Sequence, residues 1–291
     1  MSLTMTLKKS LTVFRTAYVR WFFSSRLLIF AFAYMFFYVY FIKPMVQLSE
    51  AFNTPLNALE PFTALMNNGY FLPLTALTYL ILISDQPRLD DSAAFILFRT
   101  GRIPWLLGQL WFLMGSALTF IGFLLISSML TVMDRSFVLN AWSLVTKSLS
   151  RPENRELAAR YPFALIDRSV IFQSRPYEAV RHGILLMLMF MVAVGTVMML
   201  FSLKQKKIFG VFANLSFIAA GLVLWAVDNR VKWLFPISNT AFGWHYDRMY
   251  DKTVMSISYS YIYFTVLCIA LITAAALISK RCSFHITGGT E

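Results

Sequence analysis

Ile103–Met133, IPWLLGQLWFLMGSALTFIGFLLISSMLTVM, runs without one Asp, Glu, Lys, Arg or His. About 20 apolar residues cross the hydrocarbon of a bilayer as a helix, and a helix satisfies its own backbone there. Five other stretches share the property: Leu27–Ile42, Pro61–Ser84, Gly183–Leu203, Ile208–Val227 and Thr253–Ser279. In 291 residues that are 58% hydrophobic, six such runs leave no room for a separate soluble domain. The fold class they imply is an all-α integral membrane protein with six transmembrane helices, at 21–42, 62–84, 103–133, 183–203, 208–227 and 253–279. The first run is the shortest. Trp21–Ser25 completes it if Arg26 or Lys43 snorkels to the interface.

Lys8, Lys9, Arg15, Arg20 and Arg26 precede that run, and no small-residue cleavage site follows it, so it reads as a signal anchor. The same five charges place the N-terminus inside. Alternation then puts Arg88, Arg99 and Arg102, the lysines of Lys204–Lys207, and Lys280 with Arg281 on the inner face, giving N-in/C-in. The long segment 134–182 holds eight more Lys and Arg, but long loops translocate largely regardless of charge. A positive inner face on an anionic leaflet accounts for the net charge of +12, with no nucleic acid needed. Cys268 and Cys282 suggest neither a disulfide framework nor metal spacing.

Leu7, Leu11, Phe14, Tyr18 and Phe22 recur at helical spacing, with Lys8 and Arg15 on the other side. The pattern predicts a basic amphipathic interface helix over 3–20, lying on the inner leaflet. Between the second and third runs, Asp90, Asp91 and Ser92 suit a helix N-terminus, Arg99 suits its end, Gly101 stops it and Pro104 prevents continuation. This predicts a short helix over 90–100, either resting on lipid or serving as a docking knob for a soluble partner. In the third run Gly101, Gly108, Gly115 and Gly122 stand seven apart, near one stripe of a helix. Small residues in a stripe let another helix approach closely, so the four form a predicted packing seam.

Segment 134–182 reads as a small helical cap, with Val138, Trp142, Val145 and Leu149 at helical spacing. Segment 228–252 is apolar but too short to cross twice, and reads as an outer hairpin or an aromatic belt. Its His245, Asp247 and Asp251 have metal-ligand character. A solvated loop with Arg248 and Lys252 neutralising the acids is the simpler reading. His182 reads as interfacial. No Gly-Lys dipeptide and no HExxH occur, so the chain carries no phosphate loop and no metalloprotease motif, and no catalytic residues are assigned.

A basic amphipathic helix, six spans with both termini inside, a short helix after span two and an apolar hairpin before span six together resemble the membrane subunit of ABC-2 type exporters. The resemblance implies that the helix over 90–100 is the coupling helix, with Asp90, Asp91, Phe95, Phe98, Arg99 and Arg102 as its docking residues. It implies a cytoplasmic ABC ATPase subunit as partner, holding the MgATP, while this chain holds no cofactor and is not itself an enzyme. It implies a second copy of the chain, or a related permease, across a translocation path in the bacterial plasma membrane. An ion-coupled secondary transporter or channel, and a membrane scaffold or immunity protein, are the competing readings. Uncharged spans speak against ion coupling, which uses intramembrane carboxylates or broken helices.

Overall fold

The computed structural model describes residues 3–87, 91–161, 165–247 and 252–281. Helix α1 spans Leu3–Phe22 and α2 spans Ser25–Phe52. Helices α3 (Glu60–Asn67) and α4 (Phe71–Ile83) follow, then α5 (Asp91–Thr100) and the long α6 (Arg102–Thr131). Short helices α7 (Leu144–Leu149), α8 (Arg155–Ala159) and α9 (Arg168–Gln173) lead into α10 (Pro176–Leu203). Last come α11 (Lys207–Ala226) and α12 (Ile257–Arg281). Two-residue strands β1 (Leu56–Asn57) and β2 (Ser136–Phe137) pair in parallel. Among the described residues five helices, α2, α6, α10, α11 and α12, are long and apolar enough to cross a bilayer, in keeping with an all-α membrane protein.

The run over 62–84 does not form one helix. It breaks at 68–70 into α3, whose eight residues are all buried, and the 13-residue α4. At ~1.5 Å per residue α4 is about 20 Å long, short of the ~30 Å hydrocarbon. The break is written in the side chains. Asn68 Oδ1 accepts from the backbone N–H of Tyr70 (3.0 Å) and Phe71 (3.3 Å), giving the chain an alternative to the helical ladder. Pro73, lacking an N–H, fits the first turn that follows. Gly69 is required for space, because a Cβ there would stand 2.7 Å from the Trp225 ring and 3.0 Å from the Trp244 ring.

Other boundaries shift for local reasons. Helix α2 continues ten residues past Ile42 and ends where Asn53 takes φ +47°. Pro44 lies inside it, directly after a π turn at Tyr38–Ile42, where the widened ladder accommodates the missing donor. Within segment 228–252, Arg230–Leu234, Pro236–Asn239 and Phe242–His245 form three 3-10 turns.

Helix α1 is separated from α2 by a break at 23–24 and packs along α6. Ser10, Val13 and Trp21 are buried, while Leu7, Leu11 and Phe22 stay exposed. Tyr18 Oη bonds Thr119 Oγ1 at 2.6 Å, and Trp21 Nε1 donates to Leu82 O at 2.9 Å. The largest core runs through α2, α3, α4, α6 and α10, with α10 the most enclosed of the long spans. A second cluster at the α5 end joins Val13, Leu97, Trp105, Leu106, Met199, Leu203 and Ala275. The opposite end is a cap made of β1, β2, α7 to α9 and the 3-10 turns.

Candidate functional site

At the α5 end, the chain turns from α5 into α6 through one residue. Gly101 has φ +88°, a conformation that L side chains rarely adopt. Its N–H donates to Leu97 O (2.8 Å) and its carbonyl accepts from Trp105 N–H (3.2 Å), so α5 and α6 are joined with no slack. Leu97 is the inward residue of α5, 9% exposed in the cluster with α1, α6, α10 and α12. Phe95 and Phe98 point away from it and are 67% and 73% exposed. Arg99 is exposed, and its carbonyl accepts from Lys9 Nζ at 3.3 Å. The Arg102 guanidinium donates to Ser279 O (3.1 Å) and Lys280 O, two carbonyls that the end of α12 leaves open. Asp91 opens α5, and Asp90 lies outside the described residues.

The four seam glycines separate. Gly108 and Gly115 receive α1: a Cβ at Gly108 would stand 2.6 Å from Val13 Cβ, and one at Gly115 would stand 3.0 Å from the Phe14 ring. Their partner is therefore the N-terminal helix of the same chain. Gly101 makes the α5–α6 turn, and Gly122 faces nothing within 4 Å.

The cap holds a polar network that the sequence reading missed. Glu60 is completely buried. Its Oε1 accepts from Ser143 N (2.7 Å), and its Oε2 accepts from Ser143 Oγ (2.8 Å) and Asn57 N (3.4 Å). Ser143 Oγ in turn accepts from Thr146 N at 3.1 Å, capping α7. Burial pushes the Glu60 carboxyl up to about 6, against the pull of those donors. Asn57 Nδ2 donates to Leu139 O and Ala141 O, so two side chains beside β1 fasten the whole 139–146 stretch. The available signal was that Glu60 is the one acid between Glu50 and Asp85, at the mouth of an apolar run.

His245 does not lie in a solvated loop. It is fully buried, with Nε2 at 2.7 Å from Ser260 Oγ on α12. Arg248 and Asp251 lie outside the described residues. Among the described residues no three His, Cys, Asp or Glu side chains come together to hold a metal ion. Asn67, at the end of α3, accepts from Gly243 N at 2.7 Å, which ties the 3-10 turns to the broken helix. His182 is half-buried, stacked on Phe242 (5.1 Å, 6° between planes) and bonded through Nδ1 to Tyr261 Oη at 2.8 Å. Comparisons with protein-family models, with curated proteins and with solved structures found no match to this chain.

Proposed function

We propose that the chain is the permease subunit of an ATP-driven exporter resembling the ABC-2 type, working in the bacterial plasma membrane as a pair of copies. One observation carries the reading. Helix α5 leaves Phe95 and Phe98 bare while it is rooted, through Leu97, Lys9 and Arg102, in α1, α6, α10 and α12. Bare aromatic side chains beside a cationic one are typical of a protein contact surface. A soluble ATPase subunit seated there, with its MgATP, would push on α1 and on three spanning helices through packed contacts rather than through a loop. The chain supplies the path and the partner supplies the energy. The apolar, aromatic character of the helices suits an amphipathic or lipidic cargo.

A second reading has its own support. The span over 62–84 is discontinuous, and the buried carboxylate of Glu60 stands at its cap end. Broken helices and buried acids are the parts from which ion-coupled carriers are built. Reconstitution in liposomes separates the two. The exporter reading expects cargo movement that needs ATP together with the ATPase subunit, and that persists without an ion gradient. Movement driven by a pH or sodium gradient alone, lost in Glu60→Gln, would select the carrier.

A further inference from the structure

His245 sits where three elements meet, and every group bonded to it is electron-rich. Its Nδ1 lies 3.1 Å from Ala241 O and 3.2 Å from Phe242 O. Carbonyls only accept, so Nδ1 carries a hydrogen. Its Nε2 lies 2.7 Å from Ser260 Oγ, and the same Oγ lies 2.7 Å from Asn239 Oδ1. The Asn239 amide cannot be turned round. Its Nδ2 donates to Trp233 O (2.8 Å) and Phe235 O (3.0 Å), and a reversed amide would set oxygen against both carbonyls.

A hydroxyl has one proton to give. With a neutral imidazole, Ser260 faces two acceptors, Nε2 and Asn239 Oδ1, and one of these short contacts has no hydrogen in it. With a hydrogen on Nε2 the chain closes. Nε2–H donates to Ser260, Ser260 donates to Asn239, and Asn239 donates to two carbonyls. The Trp233 ring centre lies 5.0 Å from the imidazole, inclined at 56°.

We propose that His245 is a buried proton-binding site, an imidazolium that fastens the 3-10 turns of residues 230–245 to the first turn of α12. This stands apart from the transport reading and does not depend on it.

Burial works against the charge and, offset by the two carbonyls alone, would put His245 at about 4. The proton count at Ser260 acts in the other direction, and hydrogen bonds to an ionised group are roughly twice as strong as neutral ones. Among the surrounding charges, His182 on α10 opposes a proton on His245. Lys232 stands nearby, with its Nζ 5.8 Å from the Trp233 ring centre. Glu178 on α10 acts on His182, favouring a proton there. Asp167 Oδ2 lies 3.7 Å from where a Gly243 Cβ would stand. Tyr261, the α12 residue next to Ser260, is bonded to His182. The hydrogen bonds of His245 itself go to two carbonyls and a hydroxyl.

The chain has three histidines, at 182, 245 and 285, so nitrogen-15 NMR of histidine-labelled full-length protein in nanodiscs reads them separately. His182→Gln and His285→Gln each delete one signal and identify the third without touching His245. The expected result is a His245 midpoint above the free-histidine value of about 6.5, with both ring nitrogens protonated at pH 6.5. Ser260→Ala, which removes the shared hydroxyl, is expected to bring that midpoint below the free value. A wild-type His245 that is singly protonated at pH 6.5 overturns the proposal, and so does a raised midpoint that Ser260→Ala leaves in place.

Discussion

Glu60 shows at the scale of one residue how this fold handles polarity. Its carboxylate is held by the donors of Ser143, Asn57 and Thr146, and none of these is a counter-ion. Truncation to Ala leaves those donors buried and unpaired, and is expected to cost about 3 kcal/mol, mostly by freeing residues 139–146. Its titration is expected to show in pH. The folded-state value, raised from 4.5 to about 6, means that the folded protein holds the proton more tightly than the unfolded chain. That contribution is fully present below pH 4.5 and is lost as pH rises through 6, a fall of about 2 kcal/mol. Denaturant melts of the protein in detergent, from pH 4 to 7.5, measure it. Glu60→Gln should flatten this part of the profile, and an unchanged slope would remove Glu60 as its source. The sequence marked Glu60 only as a lone acid before an apolar run. Its partner Ser143 lies 83 residues away, and no local pattern connects the two.

Among the elements, α1 is the one most altered by its neighbours. Its period of apolar residues is plain in the sequence, and so is the glycine stripe of α6, but each alone has several possible partners. Packing joins them. Val13 enters the space at Gly108, where a Cβ would also come within 2.8 Å of Ser10 O. Gly108→Leu is therefore expected to lever α1 from α6, seen as faster labelling of a Cys placed at Val13. Gly122→Leu, with nothing within 4 Å, should leave that rate within about twofold. Equal effects of the two would show that α1 does not use this seam. The broken span is the opposite case. A charge-free run does not reveal it, because Asn68, Gly69 and Pro73 are uncharged. What breaks the ladder is the Asn68 side chain bonding to its own backbone and the two tryptophans that exclude a Cβ at Gly69. Gly69→Ala should lower the melting temperature by several degrees, and Trp225→Ala should restore part of the loss.

For the whole molecule, the membrane class was legible in six charge-free runs, because a charge within hydrocarbon is costly wherever it falls. How the ends are built was not, because the α5 hub and the cap depend on contacts between residues far apart in the chain. The two ends differ in kind. The cap is closed by buried hydrogen bonds: Glu60 to Ser143, Asn67 to Gly243, His245 to Ser260. The α5 end joins apolar packing to the Lys9 and Arg102 hydrogen bonds and leaves two phenylalanines outside. On the proposed reading, the exposed phenylalanines of α5 are where an ATPase subunit would seat, which makes the chain the driven half of a two-part machine. The most direct measurement is the affinity of the ATPase subunit for this chain in nanodiscs, wild type against Phe95→Asp with Phe98→Asp. The account predicts binding by the wild type and a loss of at least about tenfold in the double variant, whose membrane helices stay folded by circular dichroism, since one buried aromatic contact is worth about 1.4 kcal/mol or more. Equal affinity in the two, or no binding to either, would contradict it.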